Sequence, residues 1–214
     1  MLWSTPALVL SVGAVIAAVL AIRLDAKGPR SAFRIVKPLT TALIIAAAAL
    51  APVPVPAAYK TLILAGLAFS LLGDYALALA EKWFQAGLAA FLIAQVFYIL
   101  AFKPGPGFPV PVSVFLPFIL FGLLMFFILR PGLGPLKLPV FVYIAAITVM
   151  AGFAACRFVD RGGTKPLLAF AGAILFLISD SVLAYDRFGR KIGPAQIIIL
   201  GTYFPAQLLI ALSV

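Results

Sequence analysis

The sequence predicts an all-α fold, a polytopic membrane bundle of eight transmembrane helices, and three observations carry that expectation. Hydrophobic residues make up 65% of the 214 and charged residues 10%, with a mean hydropathy of +1.22, far outside the composition of a soluble domain. Clusters of Arg, Lys, Gly and Pro divide the chain into eight apolar stretches, each near the ~20 residues a spanning helix needs. Little sequence is left between them, so residues 1–214 read as a single eight-helix transmembrane domain whose core is the inside of the bundle.

The first stretch, 4–22, is followed by Arg23, Lys27, Arg30, Arg34 and Lys37 and has no basic residue before it. That asymmetry marks an anchor with an exported N-terminus rather than a cleaved leader. The second stretch, 33–51, carries Lys37-Pro38-Leu39-Thr40-Thr41 in its first turns and stops at Pro52-Val53-Pro54-Val55-Pro56, a stiff turn. The third, 60–80, contains Ser70 and Asp74, and the fourth, 84–102, contains Gln95 and Tyr98. The fifth, 110–129, and the sixth, 138–156, complete the apolar series. The seventh, 166–185, holds Ser179, Asp180 and Ser181, and the eighth, 193–213, holds Gln196, Tyr203 and Gln207. Trp3, Tyr59 and Trp83 fit an interfacial aromatic belt.

The net charge of +10 suggests nucleic acid at first sight, but the sixteen Lys and Arg residues are sorted by connector rather than gathered in a patch. Eleven follow the odd-numbered stretches: Arg23, Lys27, Arg30, Arg34, Lys37, Lys82, Arg130, Lys137, Arg187, Arg190 and Lys191. Five lie on the other side: Lys60, Lys103, Arg157, Arg161 and Lys165. The positive-inside rule puts the eleven in the cytoplasm and both termini outside, as for a multi-pass protein of a bacterial inner membrane. No nucleic-acid partner is expected.

Several chemistries are excluded by residue type. One cysteine, Cys156, and no histidine leave no disulfide, no Ser-His-Asp or Cys-His nucleophile and no His-ligated or Cys-cluster metal site. No phosphate-binding or dinucleotide-binding glycine pattern occurs, so no metal and no cofactor is expected. Carboxylate, amide, hydroxyl and lysine chemistry remain.

Six carboxylates occur, and four of them, Asp25, Glu81, Asp160 and Asp186, fall in or beside polar connectors. Asp74 and Asp180 instead lie well inside spanning stretches, where an ionised carboxylate costs roughly 2.5 to 3.5 kcal/mol on insertion scales. Each comes about fourteen residues into an odd-numbered stretch, which at about 1.5 Å per residue places both about 20 Å from the outer boundary. Lys37 approaches the same layer from the cytoplasmic side. Sliding the chain on itself by 106 residues matches Leu62 with Leu168, Ala65-Gly66 with Ala171-Gly172, Leu71 with Leu177, Asp74 with Asp180, and Leu77-Ala78 with Leu183-Ala184. If this match records a duplication, four plus four helices form a parallel repeat about an axis along the membrane normal.

The ordered segments Lys37-Pro38-Leu39-Thr40, Leu71-Leu72-Gly73-Asp74, Phe84-Gln85-Ala86-Gly87-Leu88-Ala89-Ala90-Phe91-Leu92, Phe176-Leu177-Ile178-Ser179-Asp180-Ser181-Val182-Leu183-Ala184 and Thr202-Tyr203-Phe204-Pro205-Ala206-Gln207-Leu208-Leu209-Ile210 resemble the successive signatures of the YhhN family. That resemblance covers the second to the eighth stretch. It implies an eight-helix membrane protein of a group that includes lysoplasmalogenases, hydrolases that split the vinyl ether of a lysoplasmalogen into a fatty aldehyde and a glycerophospho-base. Gln95 stands where family members often have His.

The chemistry so implied suits the residues. A vinyl ether is cleaved by protonation of its outer alkene carbon, attack of water on the resulting oxocarbenium ion, and collapse of the hemiacetal. Two carboxylates in a low-dielectric site can divide the roles of acid and charge stabiliser between them. The expected catalytic pair is therefore Asp74 and Asp180. Lys37, Gln95, Tyr98, Ser179, Ser181, Tyr203 and Gln207 are the expected contacts of a lysophospholipid substrate drawn from the membrane lipid. Lys37 also reads as a snorkelling anchor, the serines as small packing residues, and the amides and tyrosines as interhelical hydrogen bonds. A proton-coupled transporter or a noncatalytic lipid-binding protein is the competing class.

Overall fold

A computed structural model of the chain describes residues 4–52, 55–79, 81–105, 107–108 and 110–214. Eight long helices follow one another: α1 (Thr5–Lys27), α2 (Arg30–Leu50), α3 (Ala57–Leu79), α4 (Phe84–Phe102), α5 (Val112–Leu129), α6 (Lys137–Arg161), α7 (Thr164–Phe188) and α8 (Ala195–Leu212). Short 3₁₀ turns at Glu81–Trp83, Arg130–Gly132 and Gly134–Leu136 make two of the connections. All eight helices are long and apolar enough to cross a bilayer, and no strand occurs among the described residues. Helix satisfies every interior backbone group within its own segment, which a bilayer requires.

Several helices run past the apolar stretches that announce them: α1 continues to Lys27, α6 to Arg161 and α7 to Phe188. Long basic side chains can hold their stems against apolar surface while the charge reaches the polar layer, so charged residues need not end a helix. Trp3, Val53, Pro54 and Ala80 lie outside the described residues. Trp83 is 45% exposed beside the α3–α4 turn, as a belt residue should be. Tyr59 is not. It is buried in the bundle, with its hydroxyl 2.7 Å from Ser213 Oγ and the Arg157 guanidinium 4.3 Å from its ring centre.

Hairpins α3–α4 and α7–α8 are the most intimate pairs, and glycine makes them so. A Cβ on Gly66 would fall 2.3 Å from the ring of Tyr98, and one on Gly172 would fall 2.8 Å from the Ala206 carbonyl oxygen. Small residues let helix backbones approach closely where hydrophobic driving force between helices is weak. Around these hairpins the order of packing is α1 on α2, α2 on α3, α5 on α6, α6 on α7, α4 on α6 and α2 on α8. Exchanging the first four helices for the last four maps most of these contacts onto one another. The pairing of α1 with α8 has no comparable α4–α5 partner. Helix α5 is peripheral: Gly122 and Leu129 are its buried residues, and Leu120, Leu123, Leu124, Phe127 and Ile128 face outward.

Candidate active site

Polar side chains from α2, α3, α4, α6, α7 and α8 meet in the half of the bundle nearer its basic end. Asp74 is the seventeenth residue beyond the start of α3, and Asp180 the sixteenth beyond the start of α7. Two parallel helices thus carry their carboxylates at similar heights. Asp180 lies within electrostatic reach of both Asp74 and Lys37.

Asp74 is fully buried. Its Oδ2 accepts hydrogen bonds from Thr41 Oγ1 at 2.5 Å and from the Tyr203 hydroxyl at 2.7 Å. Its Oδ1 lies 3.3 Å from Lys37 Nζ, and the Lys37 side chain is itself 10% exposed. Among the described residues no other group bonds that oxygen. Buried charge persists in an apolar interior only when paired and hydrogen-bonded, and α2 and α8 supply both needs. Lys37 and Thr41 are one helical turn apart on α2, on the face turned to α3. Lys37, expected from sequence to meet the substrate, is paired here with Asp74.

Asp180 is only partly buried and lines a cleft. Its Oδ2 accepts a short hydrogen bond from the Tyr143 hydroxyl and a long one, 3.4 Å, from Gln95 Nε2. Among the described residues no hydrogen bond engages Oδ1, which leaves it able to carry a proton. The cleft holds about 670 Å³ of empty space, its open mouth included, and its walls come from α3 to α7. Leu77, Leu88, Phe91, Leu129, Leu177 and Ala184 make it overwhelmingly apolar. At its basic end the rings of Phe84 and Phe188 meet edge to face with centres 6.0 Å apart, and the Arg187 guanidinium lies 4.7 Å from the Phe84 ring centre. Asp74 is absent from the cleft wall. The cleft thus reaches one carboxylate, and the other is enclosed.

The remaining expected contacts divide. Tyr203 holds Asp74. The Tyr98 hydroxyl donates to Gln207 Oε1 at 2.8 Å, fully buried, next to Ser70. Ser179 Oγ donates to the Ile199 carbonyl at 3.1 Å and so ties α7 to α8. Ser181 Oγ donates to the Leu177 carbonyl of its own helix at 2.6 Å and lines the cleft. Gln196 is exposed at the start of α8, away from this site.

Two contributors escaped the sequence reading, Thr41 and Tyr143. The signal for Tyr143 was present, because the 106-residue slide that pairs Asp74 with Asp180 also pairs Lys37 with Tyr143. In the structure these two residues do equivalent work: each rises from the second helix of its half to the aspartate of the following helix. The fourth helix of the opposite half completes each set, Tyr203 for Asp74 and Gln95 for Asp180. An ammonium at one position and a phenol at the other make the two carboxylates chemically unequal.

Eight spanning helices around an enclosed Asp-Lys pair, with a second carboxylate open to an apolar cleft, define an integral multi-pass membrane protein with an intramembrane carboxylate site. The chain belongs to the YhhN family, whose family model matches residues 32–214. It is 34% identical over 161 residues to the lysoplasmalogenase TMEM86B of Homo sapiens, covering 72% of this chain and 64% of that protein. It is 33% identical over 159 residues to the lysoplasmalogenase TMEM86A of Bos taurus, covering 72% and 65% respectively. The matched region is thus just under two thirds of the length of these relatives. With the membrane protein YhhN of Escherichia coli O157:H7 the identity is 30% over 217 residues, covering 100% of this chain and 99% of that one. No solved structure matches.

Proposed function

We infer that the protein is a lysoplasmalogenase-type hydrolase in which Asp180 is the general acid and Asp74, paired with Lys37, is the buried carboxyl behind it. The observation that carries this reading is the inequality of the two carboxylates: one lines an apolar cleft through Asp180, and the other is sealed against an ammonium. Likeness to relatives named lysoplasmalogenase supports the substrate class.

In this mechanism protonated Asp180 Oδ1 delivers its proton to the outer carbon of the vinyl ether. The alkene electron pair forms the new C–H bond, and the inner carbon becomes an oxocarbenium centre facing the Asp180 carboxylate, with the Asp74–Lys37 pair behind. Water attacks that carbon and returns a proton to Asp180, giving a hemiacetal. Asp180 then protonates the glyceryl oxygen as the C–O bond breaks, and the hemiacetal hydroxyl surrenders its proton to Asp180. One water is consumed, an aldehyde and an alcohol are released, and the acid is regenerated. Tyr143 and Gln95 position Asp180 by occupying Oδ2. Lys37 is held in a buried pair, whereas Arg187 at the basic mouth of the cleft is paired with Glu81 at the surface, so the substrate phosphate falls to Arg187 by displacing Glu81. The charge asymmetry supports placing that mouth in the cytoplasmic leaflet of a bacterial inner membrane, with both termini outside.

Purified protein in detergent, given a lysoplasmalogen, should release fatty aldehyde without any ion gradient. Asp180→Asn should abolish release while the protein stays folded, since Asn keeps the shape and loses the acid. Near-normal turnover in folded Asp180→Asn would overturn the acid assignment, and aldehyde release that required sealed vesicles and a gradient would favour a carrier.

A further inference from the structure

We propose that the alkyl tail of the substrate enters and leaves the cleft sideways, through a portal between α5 and α6 whose sill is Gly122, Ile144 and Thr148. The inference rests on the hydrolase reading above. It comes from two voids that meet at those three residues. The first is the cleft that contains Asp180. The second is a groove of about 610 Å³, its open side included, on the other side of α5 and α6, lined by Phe115, Ile119, Leu123, Phe126, Phe141 and Val149. Gly122, Ile144 and Thr148 line both.

Length requires an exit of this kind. With the headgroup at the basic mouth and the vinyl ether at Asp180, the tail points toward Thr148, five residues beyond Tyr143 on α6, or about 7.5 Å along the helix. A long alkyl chain is longer than that and has to continue elsewhere. The partition it meets is thin because Gly122 has no side chain. A Cβ there would fall 2.6 Å from Thr148 Oγ1, 3.3 Å from Ile144 Cγ2 and 3.5 Å from Thr148 Cβ. The occupant of the outer groove is therefore the hydrocarbon tail of a single-chain lipid still dissolved in the bilayer, since the groove is apolar and shares the wall of Gly122, Ile144 and Thr148 with the cleft where that lipid's ether bond would react.

The same geometry supplies the test. A Cβ–Cβ distance of 3.5 Å lies within the range a disulfide spans, so Gly122→Cys with Thr148→Cys, in a Cys156→Ala background, should clamp α5 to α6 under oxidant. The readout is the ratio of turnover on a hexadecenyl lysoplasmalogen to turnover on a short-chain, water-soluble vinyl ether, in one sample before and after reduction. Closing the sill should lower that ratio by about tenfold or more, in line with the steric discrimination of apolar pockets, and reductant should restore it. An unchanged ratio with the disulfide verified would overturn the portal while leaving the hydrolase reading intact. Failure of the pair to close would overturn it as well, because the portal requires this packing of α5 on α6. Wild-type protein that hydrolyses neither substrate would refute the hydrolase reading, and the portal with it.

Discussion

Replacing Lys37 by Met should destabilise the protein more than replacing any basic residue at the bundle's surface. The Lys37–Asp74 pair spans 3.3 Å with side chains 10% and 0% exposed, whereas Arg187–Glu81 is shorter, 2.8 Å, but has side chains 36% and 79% exposed. Burial decides between them. Exposed pairs contribute about 0 to 1 kcal/mol, while removing one partner of a buried pair costs about 3 to 5 kcal/mol because a charge is left uncompensated. Thr41 and Tyr203 still bond Asp74 Oδ2, so the lower end applies, about 3 kcal/mol, or roughly a hundredfold in the folding equilibrium. Asp74→Asn in the same molecule removes the orphaned charge and should recover about 2 kcal/mol of that loss, a coupling of the size found between contacting groups. Equilibrium unfolding in mixed micelles of graded denaturing detergent, for wild type, both single variants and the double, measures the cycle. Additive single effects, or a Lys37→Met loss no larger than that of Arg187→Ala, would refute the buried-pair argument.

Tyr143→Phe should leave the protein folded but cut turnover by about 10- to 100-fold, the usual range for an interaction of 1.4 to 2.7 kcal/mol in the transition state, with little change in KM; a pure KM effect would remove Tyr143 from the positioning of Asp180. Arg187→Ala should do the reverse, raising KM for a phosphate-bearing substrate while sparing a neutral vinyl ether, and equal effects on both would exclude the headgroup contact. Gly66→Ala should cost about 1 to 3 kcal/mol by overpacking, because the Tyr98 ring it strikes is fully buried and held by Gln207; a thermal melt unchanged from wild type would contradict that packing. Reporter fusions in the connectors near residues 23–32, 130–137 and 186–192 should report a cytoplasmic location, and the C-terminus an external one.

Eight spans were legible because the bilayer demands long apolar runs, and Asp74 and Asp180 were legible because a carboxylate in such a run is costly. Tyr143 was legible only through the 106-residue offset, since a tyrosine in an apolar helix otherwise looks like any other large packing residue until a partner is placed opposite it. Lys37 shows a different limit. Its depth could be read from position along α2, but whether its ammonium turned inward to Asp74 or outward to a headgroup depended on helix rotation, which the chain does not display. The cleft was equally hidden: its walls are mostly apolar side chains from five helices, and only packing reveals that they fail to meet. The local match between the two halves carried more than a hint of duplication, because its offset connects Lys37 with Tyr143 and so foreshadows how the two aspartates differ.

Helix α5 is the most peripheral of the eight, with Gly122 and Leu129 buried and Phe118, Phe121, Met125 and Phe126 packed at the edge of the core, and it is also short. Its 18 residues give a helix about 27 Å long, against about 37 Å for the whole of the 25-residue α6 and α7, charged ends included. A hydrocarbon layer near 30 Å therefore mismatches α5 by a few ångströms, at fractions of a kcal/mol per ångström. Loosely held and too short, α5 is the helix that the surrounding lipid can shift most readily. Host-membrane thickness should then act as a control on this protein: turnover in vesicles of graded acyl length should vary where turnover in micelles of graded detergent does not.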